Sequence, residues 1–344
     1  MTHLVTDLVL VAALGYLATF IGGDALPKWS SYLLWPLYWY CQGTQLTGVW
    51  VLAHECGHQA FSPSETINNL VGLICHSALL VPYHSWRITH AKHHNNTGSC
   101  EHDEVFCPLT RSDVFGSKSK ASKEHADSVV EEMANEMPLI QALSIVMMLT
   151  VGWMPGYLIF NSTGPKKYEG HPRSHFNPWA KMFEDRDRMD IVISDIGFFA
   201  GLAGLGYAIS TLGFRTVACF YLIPYMVTNL YLVLITFLQH TDVFMPHFRG
   251  EEWDWFRGAL CTVDRSFGPV VDHVIHHIGD THVCHHLFSK MPFYHAQEAT
   301  EHIRKFLGEY HLTDRTPIHK ALWRSYTCCN YIDDDAPVAF YKSH

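Results

Sequence analysis

The chain has 344 residues, of which 17% are charged, and a formal net charge of −9. The charged fraction lies below the roughly 25% of soluble proteins, and no excess of basic charge argues for a nucleic-acid partner. Long apolar runs alternate with polar, His-rich segments, the block pattern of a membrane protein whose chemistry sits in aqueous-facing loops.

Leu4 to Ile21 is apolar apart from Thr6 and Asp7, long enough for a hydrocarbon core of roughly 30 Å. With no basic n-region and no small-residue cleavage site, the start reads as a membrane span rather than a removed signal peptide. Ser31 to Ala53 is a second span, with Trp35, Tyr38, Trp39, Tyr40 and Trp50 suited to interfacial depths. It runs directly into His54. Ile67 to Val81 is apolar but short, an interfacial or re-entrant helix. Residues 95–136 are polar and carry a loop signal at Gly116-Ser117-Lys118-Ser119-Lys120. Ile140 to Phe160 is apolar and interrupted by Pro155-Gly156, and residues 161–188 are polar again. Ile191 to Leu212 and Val217 to Leu238 form a membrane hairpin around a turn at Gly213–Thr216. Residues 239–344 contain no further span.

Eight of the 25 histidines fall into three clusters: His54 and His58; His90, His93 and His94; His282, His285 and His286. Spacings of three and four place rings on one helix face. Imidazole is the commonest protein ligand for mid-row transition metals, and eight rings exceed the needs of one ion, so the expectation is a site for two. The first cluster, HECGH, is a literal H-E-x-x-H, the signature of zinc peptidases. The other two share H-x-x-H-H, which a protease does not need. An all-nitrogen set with few carboxylates suits iron, which activates dioxygen and can then remove hydrogen from an unactivated carbon. The ten cysteines show no CxxC pair and no framework. They read as idle thiols of a reducing compartment. Cys56 and Cys284, although inside His clusters, are left out of the ligand set because a thiolate there would be oxidation-prone.

If all three clusters meet at one site, an even number of crossings separates the second from the third. The hairpin 191–238 supplies two, so 140–160 is expected to lie in the interface or re-enter. The expected fold is an all-α integral membrane protein, a single domain over 1–344, with about four transmembrane helices in two hairpins (4–21, 31–53, 191–212, 217–238). Interfacial helices lie near 67–81 and 140–160, and a cytosolic helical cap formed by 54–190 and 239–344 holds a His-rich di-iron site.

The text around the clusters resembles the membrane fatty acyl desaturases, specifically the methyl-end group of delta-12 (oleate) and omega-3 enzymes. The matching stretches are Trp50-Val51-Leu52-Ala53 leading into HECGHQAFS, PYHSWRITHAKHH at 82–94, SHFNP at 174–178, LQHTD at 238–242, RGALCTVDRSFG at 257–268 and HHIGDTHVCHHLFSKMPFYHAQEAT at 276–300. The resemblance implies a di-iron centre at the cytosolic face of the endoplasmic reticulum membrane, with dioxygen as co-substrate. Electrons would come from a separate cytochrome b5 and its reductase. The acyl substrate would be phospholipid-linked or carried on CoA. It gives the eight cluster histidines the ligand role and adds His240 as a ninth. Glu55, His276, His277 and Asp280 are expected as groups that orient ligand rings, while His76, His84, His175 and His295 read as ordinary packed or hydrogen-bonded histidines. Relatives often read LQHTH where this chain has Asp242.

The implied reaction is delta-12 desaturation of oleoyl to linoleoyl, with regiochemistry set by an acyl tunnel lined in part by 33–50 and 197–238. An omega-3 desaturase or a hydroxylase or epoxygenase of the same family is the alternative. From another class stands a membrane zinc metalloprotease using HECGH. A His-rich metal transporter is disfavoured because the histidines cluster outside the spans.

Overall fold

A computed structural model describes residues 1–24, 26–116 and 137–343. The loop signal at Gly116–Lys120 lies, beyond Gly116, outside the described residues. The fold is an all-α membrane architecture whose described strands are a single two-residue pair, His247–Phe248 with Val338–Ala339.

Helices α1 (Thr2–Ala18) and α2 (Ser31–Gly57) form the first hairpin. Their antiparallel register is set by polar contacts, with Gln42 Nε2 donating to Val11 O (3.3 Å) and Asp7 lying beside Gly48. Helices α3 (Glu65–Ala78) and α4 (Tyr83–Asn96) follow, bent by 109° at their connection. Ser64 caps α3 with Glu65 in its first turn, the chemistry a helix N-terminus favours. Helix α5 (Pro138–Val151) ends in a π-type turn, Gly152–Tyr157, which contains the Pro155 break. The second hairpin is tighter than the sequence suggested: α6 (Arg188–Leu212) and α7 (Phe214–His240) are separated by Gly213 alone, at φ +82°. A β-carbon is disfavoured in that conformation, so glycine permits the one-residue turn. Helices α8 (Pro269–Val274), α9 (His282–Leu287), α10 (Ala296–Leu307) and α11 (Ile318–Cys328) build the cap.

Among the described residues, three helices are long and apolar enough to cross a membrane: Pro138–Tyr157, Asp185–Leu212 and Phe214–His240. The bent pair α3–α4 makes a fourth if counted as one broken span. Helix α1 is apolar but has 17 residues, and α2, at 27 residues, is not among the three. The reason is compositional. Gln42, Thr44, Gln45 and Thr47 interrupt its apolar run, and all four are buried against neighbouring helices instead of facing lipid, as polar groups in spans usually are. Beyond α5, Thr163 O accepts from Cys107 N (3.0 Å), so the chain leaving this helix meets the segment that follows α4.

Close helix contact is made by glycines, as in other membrane bundles. A β-carbon on Gly43 of α2 would stand 2.5 Å from Val227 Cβ and 2.6 Å from Pro224 O on α7. One on Gly201 of α6 would stand 2.4 Å from Ser77 O at the end of α3. Gly204, by contrast, faces open space. Gly43→Val is therefore expected to destabilise the detergent-solubilised protein by about 1–3 kcal/mol, the usual range for overpacking. Gly204→Ala should be neutral or stabilising by up to about 1 kcal/mol. Thermal unfolding of the two variants side by side checks this, and equal transitions would refute the packing role of Gly43.

Candidate metal centre

Four helix segments deliver the rings. His54 lies in the last turn of α2 and His58 caps its C-terminus, and His90, His93 and His94 occupy the second half of α4. His240 is the last residue of α7, and α9 is little more than the third cluster itself. Ring nitrogens converge in two groups: His54, His58, His90, His94 and His285; and His93, His240 and His286. Within each, all lie within 4.8 Å of one another. His282 joins the second group, its Nε2 3.0 Å from His240 Nε2. The groups touch through His94 and His286, whose rings stack at 4.0 Å.

The donor chemistry fits metal ions rather than a hydrogen-bonded histidine core. His93 Nδ1 lies 2.8 Å from Asp103 Oδ1, and His282 Nδ1 lies 3.1 Å from Ile278 O. Both partners are acceptors, so in the neutral rings Nδ1 carries the proton and Nε2 is a bare lone pair. These two Nε2 atoms both face His240 Nε2, at 3.3 and 3.0 Å, and one His240 proton can serve only one of them at a time. His285 Nε2 and His286 Nε2 are buried without a hydrogen-bond partner among the described residues. Nitrogens 3.0–3.3 Å apart match two imidazoles bound about 2.1 Å from a shared ion at near-right to tetrahedral angles. Burial holds His282 at a pKa of about 3. Burial and the neighbouring rings lower His285 and His286 well below the ordinary range. Neutral imidazole is the ligating form.

Groups behind the rings fix their orientation, and the most direct of them escaped the sequence reading. Asp103 is buried, accepts from Val105 N (2.9 Å) and Phe106 N (3.1 Å), and aims the same oxygen at His93. Burial raises its pKa, but His93 and these two N–H groups outweigh that and leave it lowered. Thr97 Oγ1 donates to His93 O (2.7 Å), so its lone pair faces His286 Nδ1 (3.2 Å). No periodicity marks either residue; Asp103 is one of several acids in a polar stretch. Trp86 stacks on His90 at 4.5 Å, Trp50 on His54 at 5.7 Å and Phe106 on His240 at 5.4 Å.

Of the orienting residues expected from sequence, Glu55 places one oxygen 3.4 Å from His54 Nδ1 and the other on Phe293 N (3.2 Å). Asp280 instead faces His277 (3.0 Å), and His276 pairs with Asp7 of α1 (2.7 Å). His276 and His277 thus lie outside both groups, as do the buried free thiols of Cys56 and Cys284. His175 is a buried, hydrogen-bonded histidine, as expected. Its ring accepts at Nε2 or donates there to Thr89 Oγ1 (2.9 Å), which also meets the Tyr157 hydroxyl (3.1 Å). His76 is wedged between Trp50 and Trp86. Asp242 points away from the rings into a buried cluster with Arg265 and Arg324.

An apolar cavity of about 290 Å³ opens onto His54, His90, His93, His240 and His282. Trp50, Val233, Ile235, Thr236 and Phe237 line it, as the expected tunnel would require, but α6 does not. Met148, Gly152, Trp153 and Tyr157 take its place. The cause is the packing of the π turn on α7, where a β-carbon on Gly152 would stand 3.3 Å from Val233 Cγ2, tighter than an ordinary contact. A metal centre at the wall of an apolar slot suits oxidation of a hydrocarbon chain held away from water.

Comparison with known proteins agrees. The family model described as "Fatty acid desaturase" matches residues 27–317. The Delta(12) fatty acid desaturase of Mortierella alpina is 49% identical over 346 residues, covering 99% of this chain and 84% of its own. The protein of that name from Mortierella isabellina is 50% identical with the same coverage. The "Omega-6 fatty acid desaturase, endoplasmic reticulum" of Brassica juncea is 45% identical over 334 residues, covering 97% of this chain and 82% of its own. The chain belongs to the fatty acid desaturase family and is an oxidoreductase.

Proposed function

We propose that the protein is a delta-12 acyl desaturase that converts oleoyl to linoleoyl chains. The observation that carries this is the meeting of nine imidazoles in two groups at the wall of an apolar cavity, in a chain about half identical to two Delta(12) fatty acid desaturases. The proposed ligands are His54, His58, His90, His93, His94, His240, His282, His285 and His286, holding two iron ions. Bound iron supplies dioxygen activation and hydrogen removal from an unactivated methylene. Electrons are assigned to cytochrome b5 and its reductase, and the substrate is a phospholipid- or CoA-linked acyl chain. The membrane is that of the endoplasmic reticulum, named for the Brassica relative, with the centre on the cytosolic face and α1, α2, α6 and α7 as the spans. Charge supports this orientation. Of 24 Lys and Arg, only Lys28 and Arg215 fall in the connections at the far end of the hairpins, as expected when cations stay on the cytosolic side.

The protein's own residues contribute geometry. Asp103 and the Ile278 carbonyl hold the tautomers of His93 and His282 so that Nε2 is free to ligate. Trp50, Trp86 and Trp153 keep the cavity dry around the reacting carbons. Because adjacent methylenes are chemically alike, cavity shape decides which one reaches the centre. The protease reading needs Glu55 free to act as general base on a metal-bound water. One of its oxygens instead accepts from the Phe293 amide (3.2 Å), and the other lies 3.4 Å from His54 Nδ1, behind the ring.

Expressed in a yeast that makes oleate but no linoleate, the protein is expected to yield an 18-carbon diene. Protein present in the membrane with no new diene or triene would overturn the proposal, while a triene, hydroxy or epoxy product would select the alternative regiochemistry or chemistry. Single replacements His94→Ala and His286→Ala should abolish product and lower bound iron without expelling the protein from the membrane; full activity in either would refute the ligand assignment. Asp103→Asn keeps the shape but removes the carboxylate behind His93. Iron affinity or activity should fall about 10–100-fold, as for other groups that orient ligand rings. Unchanged iron content and turnover would show that Asp103 has no part in the centre.

A further inference from the structure

A second large cavity, about 860 Å³, lies at the end of the bundle opposite the histidines, between the start of α2 and the start of α7. Its depth follows from helix geometry. Trp35, which lines it, and His54 share α2 and stand about 28 Å apart at 1.5 Å per residue. That distance is close to the roughly 30 Å of a bilayer's hydrocarbon core. The cavity therefore sits in the opposite headgroup layer, on the reading of the hairpins as membrane spans.

We propose that this cavity is a phospholipid site, with the lipid phosphate held by Lys28 and Arg215 and the region below it packed on an aromatic wall. Charge is the first support. The only two Lys or Arg residues in the far-end connections, 19–30 and 213–216, both line this cavity, and no carboxylate does. Neither cation has an ion-pair partner among the described residues. Two unpaired cations in one apolar-walled concavity call for an anion.

The wall is the second support, because the fold departs from regular helix to make it. Helix α7 widens into a π turn at Ala218–Leu222, a feature that recurs at functional sites. The carbonyls of Cys219 and Phe220 accept there from Trp39 Nε1 (2.9 Å) and the Tyr38 hydroxyl (3.3 Å) of α2. Trp35 stacks on Trp39 (5.9 Å) and meets Phe220 edge-on (5.5 Å). The polar edges of Trp39 and Tyr38 are thus satisfied within the protein, and apolar ring faces line the space. Trp29 and Tyr32 remain 64% and 83% exposed at its mouth, as ring anchors at headgroup depth are. A soluble anion would use the two cations and leave the wall wet. A phospholipid uses both.

The test uses delipidated full-length protein in a neutral detergent, followed by thermal unfolding and tryptophan fluorescence. Phosphatidylglycerol, phosphatidylcholine, a diacylglycerol of the same chains and inorganic phosphate are titrated separately. Both phospholipids should raise the transition, whereas diacylglycerol and phosphate should not. The double variant Lys28→Gln/Arg215→Gln should weaken the phospholipid response roughly thirtyfold, at about a fivefold factor for each basic residue near a lipid surface, and keep its iron and its desaturase product. Equal stabilisation by inorganic phosphate (a free-anion site), equal stabilisation by diacylglycerol (apolar contact only), or an unchanged response in the double variant would each overturn the proposal. Should the variant not fold, the series on the unmodified protein decides alone. The lipid and phosphate titrations need no turnover, so their outcome stands apart from the desaturase assignment.

Discussion

The structure depends on aiming nine imidazoles at common points. A neutral imidazole has one donor and one acceptor nitrogen, so its ligating atom is decided by what the other nitrogen meets. At His93 and His282 those partners are Asp103 and a backbone carbonyl. Burial suppresses the charged form of the α9 rings, which would otherwise repel both a cation and one another. Removing these rings from water creates the need for metal: unpaired buried nitrogens are costly, and an ion satisfies several at once. Folding of the cap and loading of the centre are in this sense one problem.

The hairpins meet the mechanical side of that problem. His54 and His240 end two long helices that touch through Gly43, with the Thr228 hydroxyl donating to Gly43 O (3.0 Å). Their relative height is therefore set inside the bundle, far from the rings. The short helix α9 cannot hold itself by its own turn count. Asp264, buried, accepts from Val283 N (2.9 Å) and ties it to the segment that leads into α8. Rings carried by four segments reach one place because each segment is fixed by a different kind of contact.

Much of this was legible in the amino-acid order. The two hairpins, the helix breaks near Pro27 and Pro155, and the histidine clusters are local patterns, and each reports on a few residues of neighbouring chain. What failed to show was non-local or polar without periodicity. Asp103 acquires its role only because α4 carries His93 past it. The cavity wall passed from α6 to the π turn after α5 because Gly152 allows close approach to Val233, a pairing between residues 152 and 233 that no window sees. Helix α2 read as an ordinary span, yet its glutamines and threonines face protein. His276 was expected to orient a ligand ring, but positive φ at His276 and His277 (56° and 59°) turns the chain before α9 begins and His276 meets Asp7 of α1 instead.

Asp242 illustrates how a departure from the family's usual text can be absorbed. Two residues beyond His240, its carboxylate is wholly buried and accepts from Arg265 and from Arg324 of α11 (Nε 3.0 Å). Asp314 closes the cluster by accepting from both arginines, at 3.0 Å and 2.6 Å, and Ser325 bonds Thr241 O (2.8 Å). Two carboxylates against two guanidiniums balance in charge, so the cluster can stay buried, whereas losing one member would cost about 3–5 kcal/mol by stranding a charge. A histidine at this position would bring neutral or positive character to the buried Arg265 and the half-buried Arg324 and leave Asp314 to compensate alone. In this chain residue 242 is therefore bound to the cap's ion cluster, and that cluster clamps α11 onto the end of α7 one turn from the His240 ring. The carboxylate acts on the centre by holding the helix end that carries its ninth imidazole.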